Sequence, residues 1–515
     1  MSTQDAVGTS PGGGAGQPPT ADRTHEFRWW ILAVVGIAQL MVILDTSIVN
    51  IALPSAQADL GFSDGNRQWI ITAYALAFGS LLLLGGRVAD LFGQKRAFLT
   101  GLVGFALASA AGGAATSFGL LVAARSAQGL FGALLAPAAL SLLATTFSDD
   151  KERGKAFGIF GAVAGAGGAI GLLAGGLITE YLDWRWCLYV NLVFAAVAFA
   201  GGSALLGRGA HGQGQKLDLI GTVLVSVGLF GLVFGFSNAE SHGWSSPSTW
   251  GNLTVGVVLL IAFTAWQTRA KQPLLPLRLL LDRTRGASFL SLLIAGVGQF
   301  GSSLFLTYYL QQGLGYTPVQ TGLAFLPLVA AMVIGSTVSA GVLVPRFGPK
   351  PVIPVGMGLT AASLVWLTST DLNTSFMALL WPLLVMGVGL GSISAPAISM
   401  ASYRVAPEDV GVASASVNTV QQIGGSIGTA LLNTVATSAA ASYLAGKSRT
   451  PQAVAQAAME SYYTAYWWSA GIFLAGLVIS VLLYRSGRIA QADADADADA
   501  GGSGSKAGDG AAVSV

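Results

Sequence analysis

The sequence predicts an all-α polytopic membrane protein of fourteen transmembrane helices, built as two six-helix bundles with two helices inserted between them. Three observations carry that prediction. Of 515 residues, 53% are hydrophobic and 10% charged, with 69 glycines, whereas a soluble globular chain carries about 25% charged residues. Apolar runs of the roughly 20 residues needed to cross a bilayer recur along the chain, and Lys and Arg gather on alternate sides of successive runs. A ten-residue loop pattern appears twice, once in each half.

Residues 1–28 are rich in Gly, Pro, Ser and Thr without an apolar h-region. They are expected to form a disordered cytoplasmic tail, not a cleavable signal, so the first span itself targets the membrane. Apolar runs then begin near Trp29, Trp69, Ala97, Phe118, Phe157, Cys187, Leu217, Gly251, Ala287, Thr321, Pro351, Phe376, Val410 and Tyr466. These divide into a first bundle over 29–207, an inserted helix pair over 208–270 and a second bundle over 271–488. The run from Val410 to Tyr443 exceeds one crossing and is expected to tilt or project beyond the bilayer. From residue 489 to 515, Ala-Asp repeats followed by Gly and Ser form a second tail too polar to pack.

Orientation follows from the short loops. One side collects Arg87, Lys95, Arg96, Lys151, Arg153, Lys155, Arg208, Lys216, Arg269, Lys271, Arg278, Arg283, Arg285, Arg346, Lys350, Arg404, Arg485 and Arg488. The other holds only Arg67, Arg185, Lys447 and Arg449. The positive-inside rule therefore puts both termini in the cytoplasm of a multi-pass plasma-membrane protein. The basic side also carries the repeat: Gly86 to Lys95 and Gly341 to Lys350 share Gly, Phe, Gly and Lys at the same offsets. Parallel repeats of this kind are an architecture of secondary transporters.

Asp45 breaks the apolar pattern of the first span, where translocon scales charge a central carboxylate about 2.5 to 3.5 kcal/mol. Such a residue faces a protein interior or a water path, and the reading here is a proton or substrate site. Arg125 is the single Lys or Arg placed well inside a span, so it needs a carboxylate, a carbonyl or water. Glu180 and Asp218 are weaker acidic candidates at span ends and read as solvated charges. His25, His211 and His242 fall in tails or loops, away from the midplane. Gln39, Asn50, Gln128, Asn191, Gln299, Asn418, Gln421 and Gln422 are polar residues for lining a cavity or bridging helices. Trp29, Trp30, Trp184, Trp186, Trp244, Trp250, Trp467 and Trp468 sit at span ends as interfacial anchors. Gly167, Gly171 and Gly175, at a spacing of four, form a smooth strip for close helix approach.

Several functions are excluded at this level. A net charge of +2 on a membrane chain says nothing of nucleic acid, and one cysteine, Cys187, allows no intrachain disulfide or Cys-rich metal site. Gly424 to Gly428 fits a hydrolase elbow but lies inside an apolar span, and Gly446-Lys447-Ser448 lacks the first glycine of a phosphate loop. No cofactor, metal or enzymatic nucleophile is expected.

Four motifs together resemble the fourteen-span drug:proton antiporters of the major facilitator superfamily, the EmrB/QacA type, over roughly Trp29 to Arg488. They are Leu44-Asp45-Thr46 through Pro54, the loop from Gly86 to Arg96 with Asp90, Gly93 and Lys95, the stretch Arg125 to Gly129, and Gly158, Gly167, Gly171, Gly175 and Gly176. The resemblance implies the major facilitator fold and proton-coupled export of lipophilic small molecules, with protons and the bilayer as further partners and a monomer as the working unit. It assigns Asp45 and Arg125 to proton coupling and the loop with Gly86, Asp90, Gly93, Lys95 and Arg96 to a cytoplasmic gate. There Asp90 meets Arg153 or the start of the thirteenth span. The family proline after the third glycine is Leu172 here, which questions the kink attributed to it. An exporter dedicated to one lipid, siderophore or metabolite, and a non-coupled facilitator, remain as alternatives.

Overall fold

The computed structural model describes residues 27–484 except 64, 148–149, 208–217, 245, 271–272, 275–276, 402, 404 and 406–409. Both tails beyond this range, with His25 and His211, fall outside the described residues, as do the side chains of Asp90, Arg153, Gly158 and His242. Among the described residues the chain forms fourteen long helices and no strand. In order they are α1 (Arg28–Leu60), α2 (Gln68–Phe92), α3 (Gln94–Gly113), α4 (Phe118–Thr146), α5 (Asp150–Tyr181), α6 (Trp186–Leu205), α7 (Leu219–His242) and α8 (Pro247–Gln267). After a one-turn helix, Leu277–Leu281, come α9 (Arg283–Gly313), α10 (Pro318–Phe347), α11 (Pro349–Leu367), α12 (Phe376–Ala401), α13 (Val410–Leu444) and α14 (Pro451–Leu483). Eleven of these are long and apolar enough to cross a membrane, and α2 and α5 carry shorter apolar stretches, Gln68–Leu82 and Ile170–Tyr181.

Local chemistry explains the ends. Ser117, Thr317 and Thr450 accept backbone N–H groups at the starts of α4, α10 and α14, and Gln320 completes a capping box with Thr317. Proline occupies the first turn of α8, α10, α11 and α14, where its missing N–H costs nothing. The repeated loop finds its reason at its second glycine. Gly93 and Gly348 both adopt positive φ, 94° and 80°, and each turns the chain from one helix directly into the next, a conformation that disfavours any side chain.

Two starts differ from the hydropathy reading. α5 begins at Asp150 rather than Phe157, and α14 at Pro451 rather than Tyr466. The apolar run marks what the bilayer covers, whereas a cap and a good helix-forming sequence carry the helix past it. The long run at Val410 is one helix of 35 residues. Trp184 is a correction of another kind: it is 5% exposed and packs inside the protein, while Trp30, Trp186, Trp250, Trp467 and Trp468 are exposed in the manner of anchors.

Packing repeats with the sequence. In the first half α1 touches α4, α5 and α6, α4 touches α2 and α3, and α3 touches α6. The second half reproduces each pairing: α9 with α12, α13 and α14, α12 with α10 and α11, and α11 with α14. The halves meet reciprocally, α2 against α13 and α5 against α10. The inserted α7 lies along the first of these seams, touching α2 and α13, with the Ser226 hydroxyl donating to the Ser80 carbonyl at 2.8 Å. Asp218 ties the inserted pair together: it caps α7 through the Gly221 N–H and accepts the Trp266 indole N–H and the Gln267 amide, both at 2.8 Å. Its replacement by Ala is expected to lower stability by about 1 to 3 kcal/mol, read as a lower unfolding midpoint of the purified protein.

Candidate functional site

Asp45 lies in the middle of α1 and is fully buried, and Arg125, on α4, is 2% exposed. They form an ion pair, Nη1 to Oδ2 at 2.5 Å. The same Nη1 donates to Gln128 Oε1 at 2.8 Å, and Arg125 Nε donates to the Ile70 carbonyl at 3.2 Å. The guanidinium also lies over the Tyr74 ring, 4.5 Å from its centroid. The second carboxylate oxygen, Oδ1, accepts Asn191 Nδ2 at 2.7 Å and Gln128 Nε2 at 2.9 Å. Ser109 of α3 closes the ring: its Oγ accepts from Asn191 at 3.0 Å and Gln128 at 3.1 Å, and donates to the Leu188 carbonyl at 2.7 Å.

Every helix of the first half except α5 thus supplies a group to one carboxylate–guanidinium pair. Arg125 and Gln128 are three residues apart and share one face of α4. The net charge of the cluster is zero, which is what lets it stay dry. Removing one partner from such a pair leaves a buried charge and costs about 3 to 5 kcal/mol, so a proton arriving on Asp45 changes the balance that holds α1 to α4. The two buried groups placed together by the structure are the two in-span charges singled out by the sequence. Gln128 and Asn191, read as lining a cavity or bridging helices, are fully buried around Asp45 and bridge α4 and α6 to α1 and α3, because a buried carboxylate needs more donors than one arginine supplies. Gln39, Asn50, Gln299, Asn418, Gln421 and Gln422 stand half-buried on α1, α9 and α13. Ser109 and Tyr74 were not anticipated; hydroxyls are too common in spans to stand out.

The glycines of α5 fall into two groups. A Cβ on Gly167 would meet Leu40 and Ile43, on Gly171 Ser47 and the Leu44 carbonyl, and on Gly175 Ile48, all of α1. Gly176 instead faces α10 across the seam, where an added Cβ would lie 2.6 Å from the Pro318 carbonyl oxygen. Gly322 of α10 returns the contact against the Leu172 carbonyl. α5 runs unbroken through Leu172 over 32 residues.

The end of the molecule bearing the α1–α2 loop is sealed by contacts between the halves. Arg67, 5% exposed, donates Nε to Asn433 Oδ1 at 3.0 Å and lies 4.3 Å from the Tyr308 ring centroid and 5.2 Å from that of Phe305. The Tyr308 hydroxyl donates to Gln57, Gln311 donates to the Ile51 carbonyl at 3.1 Å, and Glu180 accepts the Val319 N–H at the start of α10 at 3.0 Å. Gln311 belongs to a π-helical turn, Tyr309–Gly313, a local widening that often marks functional sites. Arg67 and Glu180 look like ordinary loop and helix-end charges in the sequence; only the tertiary fold reveals that they join the halves.

At the opposite, basic end, Lys95 donates to the carbonyls of Ser203 and Leu206 at the end of α6, which complements that helix's dipole. Arg87 donates to the Pro273 carbonyl at 3.2 Å, linking α2 to the segment that enters the second half. Gly86 packs on Pro137, and Arg96 is exposed. Asp90, whose side chain lies outside the described residues, cannot be placed in this loop's contacts.

Comparison with known proteins agrees with this architecture. The family model described as Major Facilitator Superfamily matches residues 35–429. The chain is 49% identical over 462 residues to the puromycin resistance protein pur8 of Streptomyces alboniger, covering 89% of this chain and 92% of that one. It is 38% identical to the cephamycin export protein CmcT of Amycolatopsis lactamdurans, covering 78% and 84%. In fold it is similar to a bacterial homolog of the human lysosomal transporter Spinster, with a TM-score of 0.63 at 15% identity over 91% of this chain and 98% of that one. The chain, with its paired six-helix halves and the inserted pair between them, belongs to the Major Facilitator Superfamily.

Proposed function

We propose that this protein exports lipophilic small molecules across the plasma membrane in exchange for protons, by alternating access between its two halves. The observation that carries the reading is the Asp45–Arg125 pair: a buried, neutral site whose carboxylate accepts three hydrogen bonds, a balance that one proton upsets. When a proton binds Asp45, Arg125 is released toward Gln128, the Ile70 carbonyl and Tyr74, and the hold of α4 on α1 relaxes. That local change reaches the seam through α5, which packs on α1 by its glycines and on α10 by Gly176.

The basic loops assign the α2–α3 end to the cytoplasm and both termini with it, so the structure is closed to the outside. The loop from Gly86 to Arg96 serves as the cytoplasmic gate, with Lys95 fixing it to α6 and Asp90 meeting Arg153 or the start of α13 when that gate shuts. The relative named as a cephamycin export protein supports the direction of transport. With one acid buried in the first half, the substrate is neutral, amphipathic or monocationic, and the monomer is the working unit.

The test is proton release inside proteoliposomes, followed with an interior pH dye as a panel of lipophilic compounds is added. Proton flux triggered by compound is the expected result; compound movement without any proton flux would refute coupling. Arg125→Lys is expected to cut flux about a hundredfold, because one ammonium cannot span Asp45, Gln128 and the Ile70 carbonyl as the planar fork does.

A further inference from the structure

The proposed cycle needs Asp45 to take its proton from outside, and Asp45 is fully enclosed by helices of the first half. The first half contains a void that answers this need. It lies on the outer side of the ion pair, with Arg125 as its floor, Ala52 and Ala56 of α1, Ile70 of α2 and Cys187 of α6 among its walls, and Trp184 as its roof. Its free space suits about one water molecule. None of these residues belongs to the second half, so the void bypasses the seam sealed by Arg67, Tyr308 and Asn433.

The roof is a built structure. The Trp184 indole N–H donates to Asp59 at 3.1 Å, and the Arg185 guanidinium lies over the same ring, 4.6 Å from its centroid. Arg185 is in turn held by Asp59 at 2.7 Å, by the Ala115 carbonyl at 3.1 Å and, more loosely, by Asp183 at 3.7 Å. Asp59 and Asp183 are each 46% exposed in their side chains, so the polar cluster faces outer solvent. Below the roof the walls are apolar, and an apolar void stays dry until polar partners can hold a water in it. The lining presents apolar surface throughout, Arg125 included; the polar groups lie beyond its two ends, the Asp59 cluster above and the Asp45–Arg125 pair below.

We propose that this void is the outer access route of the proton, separate from the path of the drug, with Asp59 collecting protons at its mouth and Trp184 acting as its lid. The inference rests on the proton-coupled reading of Asp45. When Trp184 swings from Asp59, water fills the gap; a proton passes from hydronium drawn to the Asp59 carboxylate through that water to Asp45, which gives up its contact with Arg125 Nη1. With the lid shut the pair is dry again and the proton cannot return by the same way. Two routes also remove the need for drug and proton to pass each other in one cavity.

The sole cysteine of the chain lies in the wall and serves as a reporter. In right-side-out vesicles, a small charged methanethiosulfonate added outside is expected to label Cys187 about tenfold faster in Trp184→Ala than in wild type. Ala52→Val, which adds two carbons toward the void, is expected to slow proton-driven transport about tenfold while drug exchange without a gradient is retained, any overpacking being read separately as a lower unfolding midpoint. A mere packing gap gives the opposite: Val fills it without loss of proton-driven transport, and Cys187 in Trp184→Ala labels no faster than in wild type. Either of those results overturns the route. Labelling needs neither drug nor gradient, so its failure counts against the route alone, whereas wild-type protein without drug-triggered proton flux counts against the functional reading alone.

Discussion

Asp45→Asn is expected to abolish accumulation of drug against a gradient and to leave passive exchange of labelled drug across the membrane intact. The amide keeps the shape of the carboxyl and an acceptor for Arg125, but it cannot lose a proton. A charge crossing 100 mV gains about 2.3 kcal/mol, equivalent to roughly a fiftyfold concentration ratio, and that ratio should fall to one. Stability should fall as well, by about 3 kcal/mol, since Arg125 is then a buried cation without its counter-charge. The check is paired: drug accumulation and drug exchange in the same proteoliposomes, with unfolding midpoints of both proteins. Accumulation at the wild-type level in Asp45→Asn would show that the proton is carried elsewhere.

Gly176→Leu is expected to hold the outer end open. Its neighbours across the seam are backbone, the Pro318 carbonyl oxygen at 2.6 Å and Val319 Cα at 2.8 Å from an added Cβ, and neither can move as a flexible side chain can. A leucine there must push α10 from α5 whenever the outer end closes, at about 1 to 3 kcal/mol of overpacking. That penalty shifts the equilibrium toward the outward-open form by about 5- to 150-fold. Spin labels at Leu182 and Leu323, both exposed, in a Cys187→Ser background should report a longer distance. Gly171→Leu makes the contrasting control. It meets Ser47 and Leu44 of α1 within one half, so it lowers stability without lengthening that distance. Equal distances in wild type and Gly176→Leu would mean that the seam closes elsewhere.

The sequence made the helices and the charged pair legible for one reason: the bilayer penalises polarity so heavily that exceptions stand out. Asp45 and Arg125 are exceptions of that kind, and so are Gln128 and Asn191, although their service to the carboxylate needed the fold. Charges beyond the bilayer carry no such signal. Arg67 and Glu180 reside at span ends, where charge is ordinary, so their reach across the seam was hidden. Trp184 was hidden by the opposite bias, since tryptophan at a span end is usually an anchor. Its partner Asp59, the penultimate residue of α1, was the available clue. The α5 glycines were legible as a packing strip, but the change of partner at Gly176, from α1 to α10, follows from the rotation of the helix and not from spacing.

Asp45 is the one buried carboxylate among the described residues, and in the proposed antiport, with Asp45 as single carrier, the electrogenicity of the cycle is set by the cargo. Exchange of one proton for a neutral compound moves one positive charge inward and draws on both voltage and pH difference. Exchange for a monocation moves no net charge and is driven by the pH difference alone. A dication would have to leave against the membrane potential. Collapsing the voltage with valinomycin and potassium therefore slows neutral cargo and spares monocations, which turns the count of buried acids into a rule for which compounds the cell can expel when one half of its proton gradient is lost.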